Sequence, residues 1–215
     1  VIRYCVERVA GRVPVIAGTG SNDIAYAISL TKYACEVGAD AMLLVTPYYN
    51  KATQKGLIQS FTAVADASTK PCILYNVPSR TGCNLLPASV AQLAKHPNIV
   101  GIKEASGDMG YAMKVAKFVG PEFAMYSGND DITLPILAAG GSGVISVYAN
   151  IMPKMCHQIV MDYLEGRQDQ ALANTIKYLD VMNDLFIEVN PIPVKAAMNM
   201  MGLKAGPMRL PLCEM

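Results

Sequence analysis

Residues Pro71 to Asp108 read "PCILYNVPSRTGCNLLPASVAQLAKHPNIVGIKEASGD", and this stretch decides the fold. Two apolar runs inside it, "CILYNVP" (72–78) and "IVGIKEA" (99–105), have the length and β-branched content of fully buried strands. Between them "LLPASVAQLAKH" has helical spacing, with a proline at its first helical position. Strand, helix, strand is the unit that builds parallel sheets. Working outward, the unit recurs: "PVIAGTG" (14–20), "AMLLVTP" (41–47), "FAMYSGN" (123–129) and "GVISVYA" (143–149) are further strands. Ser21, Asn22 or Asp23 can cap a helix that buries Ile24, Ile28 and Leu30 and stops at Gly38, and "DDITLPILAAGG" begins with acids and ends in glycine. Six strand and helix units in strict alternation predict a parallel sheet with helices outside it.

Two closures fit that pattern. A doubly wound sheet usually carries a glycine fingerprint, and "AGTGSND" is not G-x-G-x-x-G. A (β/α)8 barrel gathers its functional groups at the C-terminal ends of its strands. Here those ends carry Thr19, Thr46, Tyr75, Lys103, Ser127 and Ser146, which favours the α/β barrel. Residues 1–151 are therefore read as strands three to eight of a TIM barrel, with two units expected upstream. The start of the chain, "VIRYCVERVAGR", reads as the tail of an amphipathic helix, with Val6 and Val9 near one face and Gly11 as its stop. From residue 152 to 215 the pattern turns helical, and its methionines recur near helical spacing as a core or interface stripe.

Composition narrows the partners. Hydrophobic residues make up 52% of the chain and charged ones 16%, enough apolar material for a sizeable core and too little charge for disorder. Eighteen Lys and Arg against 17 Asp and Glu give no field that would favour nucleic acid or an anionic membrane, so a small molecule is the expected partner. Six widely spaced cysteines, without a C-x-x-C pair or a cluster with the two histidines, indicate neither a zinc site nor a disulfide framework. Reduced cysteines in apolar runs point to the cytoplasm.

"NIVGIKEASGD" (98–108) holds the chemical clue. Strand alternation puts Ile99, Gly101 and Lys103 on one face, delivering an amine toward the interior with Gly101 leaving space below it. Desolvation favours a neutral amine, which is a nucleophile toward carbonyls. Alone, Lys103 reads more readily as a strand-end lysine, solvated or paired with Glu104 or Asp108. Tyr75 on the preceding strand changes the balance, because a phenol beside the amine can shuttle the protons that imine formation requires. Arg80, in a loop shaped by Pro78 and Gly82, offers a planar fork for a carboxylate, although spacing fits a solvated loop arginine as well. Of Tyr48 and Tyr49 in "VTPYYN", at most one faces a pocket in this subunit, and an aromatic pair at a subunit interface is the other reading.

In this order along the chain, "IAGTGSN", "VTPYYN", "LYNVPSRTG", "GIKEASGD", "SGNDD", "GVISV" and "NPIPVK" resemble the dihydrodipicolinate synthase family of pyruvate-dependent Schiff-base aldolases. The resemblance covers essentially the whole chain. It implies that Lys103 forms an imine with pyruvate, that the derived enamine attacks aspartate semialdehyde, and that the product cyclises. It further implies that Tyr75 relays protons, that Arg80 holds the semialdehyde carboxylate, that the Ile145 carbonyl lies beside the site, and that Tyr49 reaches into the partner's active site across a tight dimer. A homotetramer built as a dimer of dimers is implied, with no metal and no organic cofactor. Asn22 and Tyr48 match contacts of an allosteric lysine site, whereas Tyr26 stands where lysine-inhibited members have a glutamate, so feedback by lysine is expected to be weak or absent. The family's "GTTGE" stretch has no counterpart in the 215 residues, so an open strand edge is expected.

Three other readings compete. A lyase of the N-acetylneuraminate type shares the lysine and tyrosine but usually lacks an arginine at the Arg80 position. A non-catalytic fragment of the fold would keep the motifs without turnover. A phosphate-binding barrel rests only on "GTGSN" and "AAGGSG", glycines that turns explain as readily.

Overall fold

The computed structural model describes residues 1–215 and shows an α/β protein. Its chain divides into two units, one of Val1–Tyr126 with Ala139–Ser142 and one of Ser127–Ala138 with Gly143–Met215. The elements of the first part are α1 (Ile2–Val9), β1 (Ile16–Gly18), α2 (Ile24–Glu36), β2 (Ala41–Val45), α3 (Gln54–Asp66), β3 (Cys72–Asn76), α4 (Pro78–Thr81), α5 (Pro87–Leu93), β4 (Ile99–Glu104), α6 (Met109–Val115) and β5 (Ala124–Ser127). They are followed by α7 (Thr133–Ala138), β6 (Gly143–Val144), α8 (Pro153–Leu164), α9 (Gln168–Asp184) and α10 (Ile192–Met200). Strand order follows chain order, β1-β2-β3-β4-β5-β6, and the pairs from β1 to β4 are parallel. Sequential parallel neighbours are what alternating strand and helix units produce.

Within the first unit the two faces of the sheet differ. Met42 and Leu44 of β2, Cys72 and Leu74 of β3 and Ile102 of β4 share a fully buried face, as a strand surface covered by helices requires. Each such side chain contributes about 1.5–3 kcal/mol through removal from water. The opposite face carries Leu43, Val45, Tyr75 and Lys103, which are half-buried. Helices are entered through side-chain caps: Asp23 accepts from the Tyr26 amide at 3.1 Å, Thr53 from Gly56 at 3.2 Å and Asp108 from Tyr111 at 3.0 Å. A cap of this kind is worth about 1 kcal/mol. Pro87 opens α5 as its position in the sequence suggests.

Two details depart from the sequence reading. The first helix ends through Ala10, which takes the left-handed conformation (φ 49°), one residue before the expected Gly11. The second is in β4, where Cys72 faces Ile99 and Ile73 faces Gly101, so Val100 is an extra residue and the ladder is bulged. Ile99 therefore drops out of the row that holds Gly101 and Lys103. Gly101 also has a different purpose from leaving space for the lysine: a Cβ there would stand 2.6 Å from the Ala124 carbonyl oxygen, so the glycine lets β5 approach.

The second unit is held by a core of Leu134, Leu137, Tyr148, Ile159, Ala171, Met182, Leu185 and Val194. Asp130 organises its entry, accepting from the Val147 and Tyr148 amides at 3.0 and 2.9 Å. Met182 is buried and Met152, Met155 and Met198 pack against the core, so part of the expected methionine stripe is core, while Met200, Met201 and Met215 are exposed. No helix is long and apolar enough to cross a membrane, and all six cysteines are free thiols.

Gly101→Ala is expected to cost about 1–3 kcal/mol, because backbone rather than a flexible side chain meets the added methyl. A urea titration of the full-length protein checks this, with an unchanged midpoint contradicting it. Alkylation at pH 8 is expected to reach the exposed Cys5 and Cys213 in the native protein, and Cys72, whose thiol burial pushes up to about 11, only after unfolding. Peptide mapping of the label reads the order.

Candidate active site

The parallel register of β3 and β4 makes Tyr75 and Lys103 direct neighbours, with Val45 of β2 completing the row. Lys103 Nζ lies over the Tyr75 ring, 4.2 Å from its centroid. Both side chains are half-buried. The amine meets the ring face, within the range of a cation–π contact, where the sequence suggested an approach of the hydroxyl. Burial raises the pKa of the Tyr75 phenol, and the positive charge of Arg80 pulls it the other way without cancelling the rise. Tyr75 therefore keeps its proton at neutral pH and has one to give.

Arg80 stands in α4, a single helical turn where the sequence suggested a loop. Pro78 supplies the first helical position, and Gly82, at φ 65°, closes the turn by donating its N–H to the Pro78 carbonyl at 2.9 Å. Glycine is needed there because the left-handed region penalises a side chain. The Arg80 side chain is exposed, and its charge acts on the Tyr75 phenol.

Thr81, beside it, is buried and ties the surrounding segments together. Its hydroxyl bonds the Val77 and Cys83 carbonyls at 3.1 and 3.0 Å and accepts from Thr46 Oγ1 at 3.2 Å. Its carbonyl accepts from the Tyr49 amide at 3.3 Å. Tyr49 itself has φ 72° and a side chain 87% exposed. A non-glycine residue in that conformation stores about 1–3 kcal/mol and persists only where neighbours hold it. Tyr48 is 40% exposed, so Tyr49 is the tyrosine that stands out from its own subunit. Asn50 Nδ2 donates to the Asn22 carbonyl at 3.1 Å, which sets the Asn22 loop against the segment of Tyr48 and Tyr49.

Other groups read from the strand ends are already committed. Thr19 Oγ1 pairs with Thr31 Oγ1 of α2 at 2.8 Å, Thr46 with Thr81, and Ser127 Oγ with the Asn129 carbonyl at 2.7 Å. Position alone could not separate these structural hydroxyls from reactive ones. Ile145 lies in the second unit, where its N–H donates to the Ser127 carbonyl at 2.9 Å.

The sequence reading missed a buried polar pair behind the row. Asn76 and Glu104 are register partners one step beyond Tyr75 and Lys103, and Asn76 Nδ2 donates to Glu104 Oε2 at 3.2 Å. Glu104 is only 2% exposed, and burial raises its pKa, offset in part by bonds from Ser106 and Asn76. The available signal was the residue following each chemical group, in "YN" and "KE". No group of three His, Cys, Asp or Glu side chains is placed to hold a metal ion. The row can supply an amine for carbonyl addition and a phenol for proton transfer, with a guanidinium nearby whose shape suits a carboxylate.

The dihydrodipicolinate synthetase family profile matches residues 1–215. The chain is 54% identical to 4-hydroxy-tetrahydrodipicolinate synthase of Clostridium perfringens (strain SM101), over all of this chain and 74% of the relative. It is 55% identical to the protein of that name from Caldicellulosiruptor bescii, over all of this chain and 72% of the relative. A crystal structure of chloride-inhibited dihydrodipicolinate synthase from Acinetobacter baumannii complexed with pyruvate superposes with a TM-score of 0.96 at 45% identity, covering all of this chain and 74% of that one. A profile match over the full chain, together with identity above half, settles the relationship: the chain belongs to the dihydrodipicolinate synthetase family.

Proposed function

We propose that the protein is a lyase that condenses pyruvate with L-aspartate 4-semialdehyde to give 4-hydroxy-tetrahydrodipicolinate, the committed step toward diaminopimelate and lysine. One observation carries the reading: in a chain of this family, Lys103 Nζ sits 4.2 Å from the ring centroid of a protonated, half-buried Tyr75. Lys103 adds to the pyruvate carbonyl, the carbinolamine loses water, and the resulting imine gives up a methyl proton to become an enamine. That carbon attacks the aldehyde, forming the new C–C bond. The amino group of the added unit then attacks the imine carbon and releases Lys103 as the ring closes. Tyr75 gives and takes protons through these steps. Arg80 binds the semialdehyde carboxylate, a role its exposure and planar fork support. No metal or organic cofactor is required, since the imine serves as the electron sink.

The finer assignments extend this reading. The sheet forms part of a (β/α)8 barrel, supported by six strands in chain order and by relatives of which the chain spans about three quarters. Residues 1–151 belong to that barrel and 152–215 to a C-terminal helical region. Ile145 is a further substrate-binding candidate, on the family resemblance alone. Tyr49 completes the active site of a partner in a homotetramer, a role supported by its high exposure and held backbone. Asn22 and Tyr48 belong to an effector surface where Tyr26 in place of an acid makes lysine feedback weak. Free cysteines support a reducing compartment, the cytoplasm. Arg80 weighs against a lyase of the N-acetylneuraminate type.

Steady-state kinetics on the full-length protein test the assignment. Tyr75→Phe is expected to lower kcat by about 10²–10⁴, the usual weight of a general acid–base group. Arg80→Ala is expected to raise KM for the semialdehyde by about 10- to 100-fold and to leave KM for pyruvate within about twofold, as loss of a charged hydrogen-bond pair predicts. Wild-type turnover of neither substrate, or equal effects of Arg80→Ala on both KM values, would contradict it.

A further inference from the structure

The pair behind the row has its own geometry. On the half-buried side of the rung stand Tyr75 and Lys103, and on the buried side, one residue later in each strand, stand Asn76 and Glu104. Asn76 has no exposed surface, and every polar atom of its side chain is engaged. Its Oδ1 accepts from the Leu85 amide at 3.0 Å, while Nδ2 donates to Asn84 Oδ1 at 3.0 Å and to Glu104 Oε2 at 3.2 Å. Residues 84 and 85 are where the chain returns after passing through Arg80, so Asn76 closes the base of the segment that carries the guanidinium. Tyr111 of α6 holds the same place from the other side, donating its buried hydroxyl to the Leu85 carbonyl.

Glu104 decides which way the Asn76 amide points. Its Oε1 accepts from the Ser106 amide at 2.6 Å and its Oε2 from Asn76, so two donors face one side chain. A carboxylate satisfies both, whereas a carboxamide offers one acceptor and must set an N–H against an N–H at the other. A flipped or unpaired Asn76 would lose the Leu85 bond, and in a buried setting each lost partner matters more than a formed bond does. We infer that Glu104, acting through the Asn76 amide, is a positioning residue that holds the Arg80 segment in the geometry that binds the second substrate. Neither side chain touches the reacting atoms. The inference rests on the reading of Arg80 as the carboxylate site for the semialdehyde.

The decisive variant is Glu104→Gln in the full-length protein, with KM for both substrates, kcat and melting temperature measured together. KM for the semialdehyde is expected to rise at least about fivefold, equivalent to one lost hydrogen bond, with KM for pyruvate within about twofold. Adding Asn76→Asp reverses the polarity of the contact, so that the carboxamide introduced at position 104 donates to a carboxylate that still accepts from the Leu85 amide, and Asn84, which is exposed, can turn its own amide to match. This second change is expected to recover most of the semialdehyde KM. A loss of stability without a change in either KM, an equal rise in both, or no recovery in the double variant would overturn the inference. If Glu104→Gln fails to fold, Tyr111→Phe decides: a rise confined to the semialdehyde KM supports the inference, and unchanged KM values overturn it. Inactivity of the wild-type protein would instead count against the reading of the active site itself.

Discussion

The chemistry proposed for this chain depends on one rung of one parallel ladder. Because β3 and β4 pair in register at their C-terminal ends, a phenol and an amine that are 28 residues apart in sequence become lateral neighbours without any dedicated contact to bring them together. The spacing between adjacent strands, about 4.8 Å, sets their separation. Register is in turn fixed by burial, since Leu74 and Ile102 must face the covered side, and a slip of one residue would turn both of them away from it.

Around that rung the polar groups are divided by face. The half-buried face carries the amine and phenol, whereas the buried face commits its hydrogen-bonding capacity to shape. Asn76, Glu104 and Thr81 have partners for their side-chain groups, and through those partners the segments carrying Tyr49 and Arg80 are tied to strand ends. Fully satisfied buried networks of this kind favour one arrangement over its near neighbours. The result is a fixed floor under accessible tools: Arg80 and Tyr49 keep exposed side chains on backbones that are held.

Much of this was readable in the sequence, for identifiable reasons. Strands such as "AMLLVTP" announce themselves by an apolar run, and Asp23 and Pro87 mark helix starts by local chemistry that needs no tertiary context. Lys103 and Tyr75 stood out because both are polar at the ends of apolar strands. What escaped depends on contacts between segments. The bulge at Val100 is a property of pairing with β3, so alternation wrongly kept Ile99 in the row. Gly101 answers to the Ala124 carbonyl on another strand, and the partnership of Asn76 with Glu104 exists only once the register is known. Thr19 and Thr46 looked like free hydroxyls because nothing in a linear string tells a structural hydroxyl from a reactive one.

The central claim is that Lys103 is the amine that forms an imine with pyruvate. Treating the full-length protein with pyruvate and borohydride, then mapping the modified peptide by mass spectrometry, tests it directly. The account predicts a reduced pyruvate adduct on Lys103 that disappears in Lys103→Ala; an adduct elsewhere, or none at all, would contradict it.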